Sequence, residues 1–138
     1  MARILAIDFG MKRTGIAVTD PMQIIATSLT TVETHLLKKF LEDYCKKESV
    51  ESIVIGLPLF LTGGDMDITA HVRGLAKQLQ KIYPDKKVVL WDERYTSKMA
   101  SQTLIAAGKK RKDRQDKGLV DRVSATILLQ NYLQFTQQ

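Results

Sequence analysis

The chain has 138 residues, enough for one domain and too few for two of ordinary size, and 44% hydrophobic residues can supply a core. With 21 Lys and Arg against 15 Asp and Glu, the formal charge is +6, which favours polyanionic partners over acidic proteins or neutral metabolites. A single cysteine excludes an internal disulfide, and no apolar run approaches the roughly 20 residues that span a bilayer, so one domain over 1–138 in a reducing cytoplasm is expected, with no membrane partner.

Arg3 to Asp8 contains the continuous apolar run Ile4-Leu5-Ala6-Ile7, which predicts a central strand covered on both faces. Gly10 and Gly15 bracket a polar turn carrying Lys12 and Arg13, after which Ile16 to Thr19 can return antiparallel. Asp20-Pro21 ends that strand, and the Thr-rich stretch Ile24 to Val32 reads as a third, nearer an edge. Leu36, Leu37, Phe40, Leu41, Tyr44 and Cys45 recur at helical spacing. Cys45 falls within that apolar stripe and reads as a buried free thiol rather than a nucleophile.

Ser52 to Leu57 predicts a second buried parallel strand, stopped by Pro58. Thr62-Gly63-Gly64-Asp65 reads as a flexible loop, and Val72, Leu75, Ala76, Leu79, Ile82 and Tyr83 mark the next amphipathic helix. Lys87 to Trp91 supplies a further strand. Thr96 or Ser97 can cap a helix that runs to Gly108. Lys109 to Lys117 has no apolar residue and predicts a mobile loop; the last helix then carries Leu119, Val120, Val123, Ile127, Leu128 and Tyr132 toward the core. Strands alternating with crossover helices predict an α/β fold with a mixed sheet, the parallel strands lying beside the first.

Three acidic motifs stand where strands end or a helix begins: Asp8-Phe9-Gly10, Asp92-Glu93-Arg94, and Asp121 within Gly118-Leu119-Val120-Asp121-Arg122. Open α/β sheets usually form their sites at the carboxyl ends of strands, where Asp8 and the Asp92-Glu93 pair are expected. Carboxylates gathered there repel one another unless a cation joins them, which points to hard divalent ions such as Mg²⁺ or Mn²⁺. Asp92 and Glu93 face opposite ways if both are extended; Glu93 is preferred as the ligand, with Asp92 contacting backbone or Arg94. Each acid also has a plain structural reading, Asp8 as a turn former and Asp121 as a helix-dipole partner. His35 and His71 lie far apart without a cysteine neighbour and read as solvated helix residues rather than zinc ligands.

The basic residues Lys109, Lys110, Arg111, Lys112, Arg114 and Lys117 can contact phosphates through a salt-sensitive, sequence-independent attraction. Lys12 and Arg13 beside Asp8, and Arg94 beside Glu93, can add contacts near the reacting bond. Trp91 reads as core, whereas Tyr95 suits either core or base stacking.

The blocks Ile7-Asp8-Phe9-Gly10 with Lys12-Arg13-Thr14-Gly15, then Gly56-Leu57-Pro58-Leu59, Asp92-Glu93-Arg94, and Lys117 to Asp121 leading into Ile127-Leu128-Leu129-Gln130, resemble the YqgF-type family, also called RuvX, across essentially the whole chain. The resemblance implies a ribonuclease H-like fold with a five-stranded mixed sheet flanked by helices. It also implies a carboxylate site at Asp8, Glu93 and Asp121, with Asp92 assisting, and cleavage of the 5′ end of precursor small-subunit ribosomal RNA. Met11 and Phe60-Leu61 depart from the residues usual in that family, and the strand ending at Leu57 supplies no acid. Two other functions remain open at this point: a Holliday-junction resolvase acting on branched DNA, and a non-catalytic nucleic-acid-binding module. An actin-like ATPase begins similarly, but the chain is too short for its two lobes. Monomer or dimer is left open.

Overall fold

The structure, a computed structural model, describes residues 2–92 and 117–136, and in the second segment side chains from 123 onward. Five strands form one sheet: β1 (Arg3–Asp8), β2 (Arg13–Thr19), β3 (Ala26–Glu33), β4 (Val50–Leu57) and β5 (Lys87–Asp92). Their order is β3-β2-β1-β4-β5, with β1 to β3 antiparallel neighbours and β4 and β5 parallel to β1. This is the mixed sheet expected of a ribonuclease H-like fold. Among the described residues three α-helices accompany it: α1 (Leu37–Lys47), α2 (Thr69–Ile82) and α3 (Lys117–Thr136).

Alternation along the strands builds two cores on opposite faces of the sheet. Leu5, Ile7, Ile16, Val18, Ile53 and Ile55 meet Leu37 and Leu41 of α1 and Val72, Leu75 and Leu79 of α2. On the other face Ile4, Ala6, Ala17 and Val54 meet Ala125, Leu128, Leu129, Tyr132 and Leu133 of α3. Alanines on both sides of that second interface let the helix lie close to the sheet. Trp91 closes it at the β5 edge by edge-to-face contacts with Tyr132 and Phe135, at centroid distances of 5.5 and 5.2 Å. The core reading of Trp91 therefore holds, and Cys45, half-buried, packs against the first core.

Four local expectations change. The third strand starts at Ala26 rather than Ile24, because the Asp20 carboxylate accepts hydrogen bonds from the Ile24 and Ile25 N–H groups at 2.9 and 2.7 Å and holds both in a turn. Gly15 lies inside β2 rather than at the end of a turn, since pairing with β1 begins at Asp8↔Gly15. Residues 60–64 form a bonded turn, not a loose loop: Phe60 N–H donates to Gly64 O and Gly63 N–H to Phe60 O, with Gly63 at φ 95°. Lys117, expected to end the basic loop, is the first residue of α3. The expected helix ending at Gly108 and the rest of the basic segment lie outside the described residues.

Candidate active site

Asp8 ends β1, the central strand, in register with Gly15 of β2. Ile7 pairs with Ile55 and Gly56 pairs with Trp91, so the row through Asp8 reads Gly15, Asp8, Gly56, Trp91. It follows the rows of Ala6, Ala17 and Val54 and shares their face, the one covered by α3. Both strands beside Asp8 thus contribute a glycine in its row, and neither puts a side chain next to the carboxylate. A hard-oxygen donor flanked in its row by two glycines suits a divalent cation and the phosphate oxygens of a strand beside it.

The segment after Asp8 is tightly built. A Cβ on Gly10 would lie 2.3 Å from Arg13 O, so the chain can turn there only without a side chain. Thr34, in the short 3-10 turn after β3, holds the same segment from outside. Its hydroxyl donates to Gly10 O at 2.5 Å and lies 2.9 Å from Thr14 Oγ1, while its N–H donates to Lys12 O at 2.9 Å. Because the Thr34 proton goes to Gly10, the buried Thr14 hydroxyl is the donor between the two. Lys12 is exposed and Arg13 half-buried, so this clamp presents Lys12 to solvent close to Asp8.

Asp92 ends β5 opposite Leu57, whose side chain belongs to the core under α1 and α2. It therefore stands on the face opposite to that of Asp8, and alternation gives the next position the Asp8 face only if the strand continues. Glu93 and Arg94 themselves lie outside the described residues, as do Lys109, Lys110, Arg111, Lys112 and Arg114. In α3, position 121 precedes Ala125 by one turn, and Ala125, Leu128, Leu129 and Tyr132 pack against the sheet. The helix thus brings positions 8 and 121 to one side of the sheet; the side chains of Lys117 and Asp121 are outside the described ones. Among the described residues no three His, Cys, Asp or Glu side chains group together. His35 and His71 are exposed, consistent with solvated residues.

The family model described as RuvX, Holliday junction resolvase, matches residues 2–135. The chain belongs to the RuvX family. Among its RuvX relatives, a candidate pre-16S rRNA nuclease of Flavobacterium johnsoniae is 53% identical over 133 residues, covering 96% of each chain. A protein of the same name in Bacteroides fragilis is 52% identical over 134 residues, covering 97% of each. Among solved structures, this RuvX chain is similar to Thermus thermophilus RuvC in complex with a Holliday junction substrate, with TM-score 0.58, 14% identity and coverage of 98% and 96%. A second T. thermophilus RuvC structure gives TM-score 0.51 at 13% identity, covering 97% and 96%. These likenesses establish the ribonuclease H-like fold.

Sequence reasoning singled out the acids and the basic residues of this RuvX chain but passed over Thr34 and the pairing of Gly15 and Gly56 around Asp8. The Thr34 contact to Gly10 joins residues 24 apart, and nothing local to either announces it. Both glycines were visible as residues; the strand order makes them neighbours of one carboxylate.

Proposed function

We propose that this chain hydrolyses a phosphodiester bond near the 5′ end of precursor 16S ribosomal RNA, with Mg²⁺ or Mn²⁺ held by Asp8, Glu93 and Asp121. As a member of a nuclease family the chain is a hydrolase of phosphodiester bonds, and its relatives named for pre-16S rRNA cover nearly its whole length. The observation that carries the reading is Asp8 at the carboxyl edge of the central strand, in a row where both flanking positions are glycine and which lies under the helix bearing Asp121. Glu93 is favoured over Asp92 because Asp92 stands on the other face of the sheet; Asp92 assists from there, through backbone or solvent.

Divalent ions bound by these carboxylates supply a more acidic water and neutralise charge on the phosphate. The chain's own residues do the rest. Asp8, on a strand hydrogen-bonded on both sides, fixes the centre against movement. Lys12 and Arg13, held by the Thr34 clamp, bind the phosphate backbone, and Arg94, Lys109, Lys110, Arg111, Lys112, Arg114 and Lys117 extend the contact along the strand. The water oxygen bonds to phosphorus as the P–O bond to the leaving nucleotide breaks, with no covalent link to the protein. The cytoplasm, where ribosomal RNA is matured, is the compartment this role requires, and a single domain over 1–138 suffices for it.

Branched DNA is the second substrate to test, since the family model carries the description Holliday junction resolvase. Precursor 16S RNA and a four-way DNA junction, incubated separately with purified protein under identical Mg²⁺ or Mn²⁺, discriminate the two. Cleavage of the RNA is expected. Cleavage of the junction alone would replace this reading with the resolvase, and cleavage of neither would leave a binding module.

A further inference from the structure

Phe9 follows Asp8 but packs with the core on the opposite face of the sheet. There it lines a groove of about 470 Å³ between the start of α1 and α2. Both helices begin at the sheet edge where Asp8 ends β1: α1 follows Glu33, which pairs with Arg13 at the start of β2, and α2 follows the turn after β4. Phe9 and Leu75 give the groove an aromatic and aliphatic floor, while Lys38, His35, His71 and Gln78 supply N–H donors around the rim. Among the described residues no carboxylate lines it. The Glu33 carboxylate lies 3.6 Å from His35 Nε2 and is itself outside the lining.

Gly74 supplies the second, independent observation. It lies inside α2 and lines the groove, yet its backbone is not in the left-handed region and a Cβ built on it meets no heavy atom within 4 Å. A glycine in a helix interior lowers helix stability relative to alanine, and neither backbone conformation nor crowding among the described residues requires one here. What it does is leave a bare stretch of helix open to the groove.

We propose that this groove is a nucleotide subsite. A base or ribose lies on Phe9 and Leu75 against the bare backbone at Gly74, and its phosphate is held by Lys38 with the imidazole N–H groups of His35 and His71. The volume suits a ligand of that size, and a rim of Lys38 and imidazole N–H donors suits an anion. Resting on the nuclease reading for its source, the nucleotide belongs to the substrate strand beyond the scissile bond; a free mononucleotide carries the same chemistry.

The full chain, ¹⁵N-labelled and kept in chelator so that nothing is cleaved, should be titrated with adenosine monophosphate and separately with a short RNA oligonucleotide. The amides of Phe9, Lys38, His71, Gly74 and Gln78 should shift with both. Displacement of the mononucleotide by the oligonucleotide identifies the strand as the source, whereas groove shifts with the mononucleotide alone identify a free nucleotide. Gly74→Met, which fills the groove, should weaken binding at least tenfold, while Gly74→Ala should keep it and raise the Tm. If Gly74→Met does not fold, the surface pair Lys38→Ala with His71→Ala should weaken binding several-fold. Unmoved groove amides, or unchanged affinity in the folded variant, would overturn the subsite. Because cleavage is not read, such a failure leaves the nuclease reading standing.

Discussion

Thr34 shows how much of the segment after Asp8 depends on one hydroxyl. It bonds Gly10 and Thr14 through its side chain and Lys12 through its N–H, so Thr34→Val keeps the shape and leaves the buried Thr14 hydroxyl and Gly10 O without that partner. The variant should lose about 1–3 kcal/mol in urea denaturation, with Thr34→Ser restoring most of it. Cys45 has the opposite character. Burial pushes its thiol above the ordinary value of 9.0, so little thiolate forms at neutral pH. Alkylation by iodoacetamide at pH 8 should be markedly slower in the folded protein than in urea. Asp20 is held below the usual 3.8 chiefly by the N–H of Ile25; desolvation, next in size, opposes this, and the N–H groups of Ile24 and Met22 add smaller lowering effects. A carboxyl depressed on folding stabilises fully above its unfolded value near 3.8 and loses that stabilisation as pH falls through the lower folded value. Asp20→Asn should therefore flatten the fall of Tm in that acid range. Asp8 was legible because an apolar run ended in an acid before a glycine; Thr34 was not, because its partners come from another strand connection.

The elements were legible where one periodicity runs unbroken. Ile4 to Ile7 and Ile53 to Ile55 are buried on both faces and read as central strands, and α2 keeps its stripe through Val72, Leu75 and Leu79. α3 is less regular. Ala125, Leu129 and Leu133 join Leu128 and Tyr132 in the core beside the sheet, a wider buried surface than the expected stripe, because alanines at the interface bring the helix close. Leu128→Ala should cost about 2–5 kcal/mol by leaving a cavity there, whereas exposed Gln130→Ala should stay within about 0.5 kcal/mol, both checked by chemical denaturation. β3 lost its first two expected residues to the Asp20 turn, a side-chain bond that overrides strand propensity at Ile24 and Ile25. The basic segment from Lys109 to Lys117 carries an expectation of its own. Neutralising several of its lysines and arginines should weaken RNA affinity and reduce its salt dependence with little change in Tm, as followed by binding titrations at several salt concentrations.

At the scale of the whole molecule, topology brings strand ends that are separate in sequence to one edge of the sheet. With β1 in the middle and β4 and β5 beside it in parallel, the carboxyl ends of three strands share one edge, and the crossover rule made that arrangement foreseeable. Which face each acid takes was not foreseeable, because it depends on register: Asp92 pairs with Leu57 and so lies opposite to Asp8. The formal charge of +6 adds a long-range attraction for a polyanion. The most direct test is single-turnover cleavage of 5′-labelled precursor 16S RNA by wild type and Asp8→Asn, each with Mg²⁺, Mn²⁺ or chelator. The expected result is a discrete product that requires metal and falls at least a hundredfold in a folded Asp8→Asn variant. Cleavage that persists in chelator, or proceeds at the wild-type rate without the Asp8 carboxylate, would contradict a metal-dependent site built on the end of β1.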